Sequence, residues 1–282
     1  MFPAPLRRLL KAHLERLGYE VRRKDMPSPV IPPQRASWEG ALAHVASVGW
    51  RPGGVIDVGA AYGDFSVTCA RLFPDARYLL VEALEEYRPF LDAVIGGSPK
   101  MSLALVAAGR TSGAATLHVH RDWEGSSMFR EAEGHDVDGV PRVVPIRTLD
   151  QIQADEQLPP PLLAKLDVQG AELDVLQGAS ELLKVVDYLW MEVSLFRFFV
   201  GGPQLHEVVA YMHSRGFVPY DIGGLKYRPI DGALAQVDLA FVKEDSAFRT
   251  CHSYASTAQR LAQDAQFMQS RRARERALAG SQ

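Results

Sequence analysis

The run from Val55 to Ser66, Val-Ile-Asp-Val-Gly-Ala-Ala-Tyr-Gly-Asp-Phe-Ser, restricts what this chain can fold into more than any other segment. A short β-branched run closes on Asp57, turns through Gly59 and Gly63, and enters helical spacing at Phe65. Strand, glycine turn and helix in that order is the layout with which doubly wound α/β proteins hold a nucleotide-like ligand. Lacking a Cβ, Gly59 and Gly63 let the backbone approach such a ligand.

Downstream the pattern repeats. Strands are predicted at Val55–Val58, Tyr78–Glu82, Ser102–Ala107, Leu162–Val168, Tyr188–Val193, Phe217–Asp221 and Val237–Val242. Helices are predicted at Phe65–Leu72, Glu85–Ile95, Ala171–Leu183 and Gln204–Arg215, with a β-hairpin insertion between Gly113 and Arg147. Alternation of this length implies a parallel sheet covered on both faces. Ahead of it, leucines at 6, 9, 10, 14 and 17 predict a helix over Pro5–Gly18. Prolines at 27, 29, 32 and 33 make Lys24–Arg35 an extended linker, and Ser37 caps a helix running to Val48. After Phe248 the chain is polar and arginine-rich (Arg271, Arg272, Arg274, Arg276), which reads as an exposed helix. The expected organisation is a helical extension and linker over 1–50, a nucleotide-fold domain over 51–248 and a polar helical tail over 249–282.

Charge and composition exclude several classes. A formal net charge of −3 offers nucleic acid no basic surface. Cys69 and Cys251 make no disulfide framework, and no Cys/His spacing resembles a zinc site; no metal is expected, although Asp167 and Glu192 could in principle share a divalent ion. No apolar run reaches the ~18–20 residues that span a bilayer. Arg7, Arg8 and Lys11 precede no apolar core of the kind a signal peptide needs, so a cytoplasmic location is expected.

The acidic residues restrict the ligand. A pyrophosphate lying over the turn would meet the like charge of Asp57, whereas S-adenosylmethionine brings an ammonium, a sulfonium and no phosphate. The turn reads Asp57-x-Gly59-x-x-x-Gly63, not the Gly-x-Gly-x-x-Gly of dinucleotide sites. Glu82 closes the second strand, 82 − 57 = 25 residues after Asp57, near the separation at which an acidic side chain accepts both ribose hydroxyls of an adenosine. Ala60 and Tyr62 in the turn and Ala107 after the third strand complete the expected cofactor positions, together with Asp167. A nicotinamide-dependent oxidoreductase shares the ribose and is disfavoured by the turn spacing; a catalytically idle binding protein has no use for both turn and ribose acid.

Lys165 and Asp167 stand two apart on a strand that should be buried, so both face one way. An interior ammonium requires a carboxylate, and Asp57 and Glu192 lie on the flanking strands. Asp167, at the strand's carboxyl end, is the first candidate to orient or deprotonate a methyl acceptor, Glu192 the second and His206 the third. For His206, as for His118 and His120, an exposed surface position competes with the catalytic one. No Asn/Asp-Pro-Pro-Tyr/Phe segment is present to seat an amino group, which favours oxygen as the acceptor atom.

Val55–Ser66, Val143-Val-Pro-Ile-Arg-Thr-Leu-Asp150 and Lys165-Leu-Asp-Val-Gln-Gly-Ala-Glu-Leu-Asp-Val-Leu-Gln-Gly178, in this order, resemble the FkbM-type methyltransferases. The resemblance runs from about Gly54 to Val242. It implies the class I methyltransferase fold, a Rossmann-like α/β architecture with a seven-stranded, mostly parallel sheet and a final antiparallel strand. It implies S-adenosylmethionine as donor and O-methylation of a small hydroxylated acceptor, a saccharide or other natural product. Acceptor choice and homo-oligomerisation would be encoded outside the resemblance, in residues 1–50 and the C-terminal tail. Asp57, Gly59, Gly63 and Glu82 match the family's cofactor positions, and Asp167, Gly170 and Glu172 its signature after the fourth strand. One familiar variant has glutamate where Gln169 stands, and Gly125-Ser-Ser-Met128 resembles a serine pair that borders the pocket.

Overall fold

A computed structural model describes residue 35 and residues 37–279; the helix expected over 5–18 and, Arg35 aside, the linker expected over 24–35 lie outside the described residues. The glycine turn follows β1 (Gly54–Val58), whose five residues are all buried. β1 pairs in parallel with β2 (Arg77–Glu82) on one side and β7 (Leu162–Leu166) on the other. β3 (Met101–Leu105) extends the sheet beyond β2, and β8 (Val186–Ser194) beyond β7. β10 (Leu234–Lys243) then enters antiparallel between β8 and β9 (Phe217–Tyr227), giving the order β3-β2-β1-β7-β8-β10-β9. A seven-stranded, mostly parallel sheet with a reversed strand is therefore present.

Alternation along the buried strands divides the core into two layers. Ile56, Val58, Leu79, Val81 and Leu166 pack on one face. Val55, Tyr78, Leu80, Leu163 and Trp190 pack on the other. The second face is covered by α1 (Trp38–Ser47), α2 (Asp64–Leu72) and α3 (Arg88–Gly96). Ser37 caps α1 by accepting the Gly40 N–H. The first face is covered by α4 (Leu149–Glu156), α5 (Glu172–Gln177), α6 (Leu182–Val185) and α7 (Leu205–Ser214).

Three local departures from the sequence expectation have physical causes. The single helix expected over Ala171–Leu183 is two short ones: the first ends with Gly178 as its C-cap, packed so close to Gly109 that a Cβ there would stand 2.1 Å from the Gly109 carbonyl oxygen. The motif Arg147-Thr-Leu-Asp150 opens α4: Thr148 accepts the Gln151 N–H as its N-cap, and Asp150 accepts the N–H groups of Glu181 and Leu182 ahead of α6. The third strand ends at Leu105, and Ala107–Ala108 form β4 in a separate three-stranded sheet with β6 (Val140–Arg147) and β5 (Gly113–Val119).

β5 and β6 are the expected hairpin insertion, antiparallel from Gly113↔Ile146 to Val119↔Val140. Their long connection folds back over the strand tips. Ser127 Oγ donates to the Gln169 carbonyl at 2.6 Å, and Ala132 N–H donates to the Phe198 carbonyl at 2.7 Å. The C-terminal helix α8 (Thr257–Ala279) is exposed over most of its described side chains, Gln263 being half-buried. Among the described residues no helix is long and apolar enough to cross a membrane.

Candidate active site

At the carboxyl ends of β1, β2, β7 and β8, roofed by the hairpin connection, lies a cavity of about 620 Å³. That volume falls in the range usual for small-molecule sites. It has two halves.

One half is built on the glycine turn and β2. Glu82 is 6% exposed and lines the cavity. Its Oε2 accepts the Ala61 N–H at 2.9 Å, and its Oε1 accepts the N–H groups of Ala83 and Leu84 at 2.8 and 2.9 Å. Burial pushes its carboxyl above the ordinary range, and the three amides oppose that rise. With both lone-pair sites of Oε1 taken, Oε2 keeps one for a further donor. Gly59, Ala60, Tyr62 and Ala107 line this half, and Trp123 descends from the roof with a left-handed backbone (φ 66°). Trp123 and Tyr62 both meet the Tyr87 ring edge-on, at 5.5 and 5.0 Å.

Asp57 does not line this half. It is 0% exposed, below the turn, where Oδ2 accepts the Ser66 hydroxyl at 2.8 Å and Oδ1 lies 3.5 Å from Lys165 Nζ. Burial pushes its carboxyl up, and Lys165 and Ser66 hold the rise in check. Lys165 Nζ donates to the Gly59 carbonyl at 2.7 Å and stands 3.8 Å from Asp167 Oδ2. Burial alone would lower the ammonium's pKa, but Asp57 and Asp167 outweigh it and hold it above the ordinary lysine range. Of the two carboxylates on flanking strands, Asp57 is thus the lysine's partner.

The two glycines also differ from the sequence expectation. A Cβ on Gly59 (φ +73°) would meet the Asp167 carbonyl oxygen at 1.9 Å, and one on Gly63 (φ +81°) would press on Val94 at 3.2 Å. The turn needs glycine for backbone conformation and for the approach of the β7 loop and α3, so protein atoms occupy the spaces first read as clearance for a ligand.

The other half gathers Asp167, Gln169, Glu192, Lys226 and Asp238 along the cavity wall. Glu192 and Asp238 are direct partners across β8 and β10, a like-charge pair that needs compensation. Compensation comes from β9 and β10, whose ladder carries register shifts at Leu234/Gln236 and Gln236/Asp238. Those irregularities accompany Lys226 pairing with Glu192 Oε1 and Gln236 Nε2 donating to Glu192 Oε2 at 2.7 Å. A Cβ on Gly224 (φ +56°) would overlap the Asp238 carboxylate at 2.1 Å, so that carboxylate lies against bare backbone. Burial first, then Glu192 and Asp167, push Asp238 up to about 6. Burial and Asp167 also raise Glu192, against Lys226 and Gln169.

Asp167 and Glu192, the first two base candidates, therefore share one wall, but they are solvated differently. The Glu192 side chain is 6% exposed, with three donors on its two oxygens. The Asp167 side chain is 36% exposed and accepts one hydrogen bond, from Gln169 Nε2 at 2.8 Å. His206 is exposed on α7 and does not line the cavity. His118 and His120 do not line it either. Ser126 and Met128 do, and Ser127 is buried as the tie to Gln169. Sequence reasoning missed Lys226, Gln236 and Asp238. The one signal available was Asp238, a lone acid inside the apolar run Val237–Val242.

The model of the methyltransferase FkbM domain matches residues 57–219. Among solved structures, the chain is similar to a methyltransferase FkbM from Methylobacillus flagellatus KT, at 16% identity and TM-score 0.43. That alignment covers 67% of this chain and 44% of the other, so the chain spans less than half of that relative's length. It is similar to the 1,6-didemethyltoxoflavin-N1-methyltransferase of Burkholderia thailandensis at 13% identity and TM-score 0.40, over 86% of this chain and 92% of the other. It is also similar to the N-methyltransferase NodS of Bradyrhizobium japonicum WM9 at 10% identity and TM-score 0.41, over 73% and 93%. No curated protein matches the chain.

Proposed function

The chain belongs to the FkbM methyltransferase family, and on that premise we propose that it methylates a hydroxyl group of a small polar acceptor, with Asp167 taking the proton. S-adenosylmethionine is the donor of the family. One observation carries the reading: Glu82, an amide-braced carboxylate at the tip of β2, and Asp167, an accessible carboxylate at the tip of β7, open into the same cavity.

The residues fit the donor. Glu82 has a lone-pair site left on Oε2 for a ribose hydroxyl, and Ala107, Leu84 and the Tyr87 and Trp123 rings give the nucleoside an apolar surround. When bound, the donor supplies a methyl group made electrophilic by its sulfonium. The acceptor half supplies the rest. Asp167 accepts the hydroxyl's proton while holding its oxygen in place, a contribution of about 10²–10⁴ in rate for a positioned base. Glu192 is held by Lys226, Gln236 and Gln169, so it anchors that wall as a fixed charge and Asp167 is the group free to exchange a proton.

The test pairs donor binding with transfer. Calorimetry should give saturable binding of S-adenosylmethionine, and labelled donor should pass its methyl group to a member of a panel of sugars and hydroxylated natural products. Asp167→Asn should keep donor affinity within about twofold and slow transfer at least ~100-fold. Undiminished transfer by Asp167→Asn would remove the base from the scheme, and label found only on nitrogen would remove the hydroxyl.

A further inference from the structure

Gln169 occupies a position that costs the chain something. Its backbone is left-handed (φ 50°), a region that L-residues with long side chains enter only at a cost, and Gly170 (φ 92°) follows it. The strain is held in place from three sides. Ser127 Oγ donates to the Gln169 carbonyl at 2.6 Å, Glu172 Oε1 accepts the Gly170 N–H at 3.1 Å, and a Cβ on Gly170 would run into the Phe199 ring at 2.7 Å. The turn so fixed sends the side-chain amide between two carboxylates. Nε2 donates to Asp167 Oδ1 at 2.8 Å and to Glu192 Oε2 at 3.4 Å. An amide nitrogen has two protons, and both are spent here. The reverse orientation would set Oε1 against two carboxylate oxygens, so the partners decide the amide's direction.

Resting on the assignment of Asp167 as base, we infer that Gln169 is a positioning residue whose amide holds Asp167 and Glu192 side by side as two anions, leaving Asp167 as the one that receives the acceptor's proton. Two carboxylates without a shared donor tend to hold one proton between them, and a base already carrying a proton is no base. Lys226 neutralises Glu192 from the far side, and Lys165 approaches the other oxygen of Asp167. Neither stands between the two acids; the Gln169 amide does. The titratable groups acting on this pair are Lys165, Lys226, Asp238, Glu172 and Asp57, contributed by β7, β9, β10, α5 and β1. Two of the five are cations, so the cluster remains acidic and sensitive to the loss of a neutral donor. Glutamate at 169 would put a third carboxylate between the other two and offer at most one proton where the amide offers two.

The experiment is a carboxyl-detected titration of the full chain carrying 13C at glutamate side-chain carboxyls, with the Glu192 signal identified by its loss in Glu192→Gln. Wild type is compared with Gln169→Leu, which keeps bulk and removes both donors, and with Gln169→Glu, which keeps polarity. The Glu192 midpoint should rise by about 0.5 unit or more in both variants. Affinity for S-adenosylmethionine by calorimetry should stay within about twofold, since the amide lies in the acceptor half. Glu192 titration curves that superimpose on wild type in a folded variant overturn the inference, and so does a tenfold loss of donor affinity in step with the shift. If Gln169→Leu fails to fold, Gln169→Glu decides. Absence of donor binding by the wild type is a separate result that strikes at the donor assignment and leaves the titration to judge the clamp.

Discussion

Glu172 is a buried acid whose charge state should be visible in the stability of the whole chain. Its side chain accepts the N–H groups of Gly170 and Val168 at 3.1 and 3.3 Å and thereby closes the loop that carries Asp167 and Gln169. Burial, with Asp167 adding to it, pushes its carboxyl from 4.5 up to about 7, against the pull of those amides. The folded chain therefore holds a proton that the unfolded chain releases between pH 4.5 and about 7. Stability from this group is complete below pH 4.5 and declines as pH rises through that interval. At 1.36 kcal/mol per pH unit the decline has a ceiling of ~3 kcal/mol. Glu172→Gln keeps the Oε1 acceptor and the volume and removes the titration. Urea unfolding of both proteins from pH 4.5 to 8 measures the difference. The variant should be similar to wild type at the acid end and should gain on it by up to ~3 kcal/mol toward pH 8, other titrating groups cancelling in the subtraction. Stability curves that run parallel across this range would refute the reasoning, because they would mean that Glu172 ionises without cost inside the fold.

Other substitutions separate cofactor contacts from scaffolding. Glu82→Ala removes the acceptor proposed for the ribose and frees three amides, so S-adenosylmethionine should bind at least ~10-fold more weakly by calorimetry, the scale of losing hydrogen bonds to a charged group; equal affinity would dismiss the ribose role. Gly59→Ala forces a Cβ to within 1.9 Å of the Asp167 carbonyl oxygen at a positive φ. It should cost more than the ~1–2 kcal/mol of the backbone conformation alone and lower the melting temperature by several degrees, and an unchanged melting curve would show that the β7 loop is not the constraint.

Much of the sheet was legible because its strands are short apolar runs separated by turn residues and amphipathic helices, and each of these has its own period. The tie from Ser127 to Gln169 was hinted at by the Gly125–Met128 segment, whose pairing depends on a long connection folding back. The eight residues of α4 went unread as a helix because Leu149 and Ile152 are its only buried positions, although Thr148 with Asp150 behind it is a start signal. The acceptor wall was legible only in part. Asp167 and Glu192 end strands, which the parallel-sheet rule picks out. Lys226 and Gln236 reach Glu192 beside register shifts in the β9–β10 ladder, and a one-residue slip reverses which face a side chain takes. Nothing in a local pattern announces such a slip.

Asp57 shows how a correct motif can carry the wrong physical reason. Its carboxylate does not confront a ligand, since it is buried beneath the turn and matched by Lys165. The cavity is acidic all the same: Asp64, Glu82, Glu124, Asp167, Glu192 and Asp238 line it, six carboxylates against the ammonium groups of Lys165 and Lys226. A pyrophosphate would still be repelled and a sulfonium still welcomed, but by those groups, at a few kcal/mol for a pair about 4 Å apart near a protein surface. The work left to Asp57 is to keep Lys165 protonated and seated on the Gly59 carbonyl, which joins the glycine turn to the strand carrying Asp167. Asp57→Asn should therefore behave as a broken buried pair, losing about 3–5 kcal/mol of stability in urea unfolding. Its donor affinity, measured well below the lowered melting temperature, should fall less than in Glu82→Ala. The opposite ranking, with stability preserved and binding abolished, would return Asp57 to the ligand.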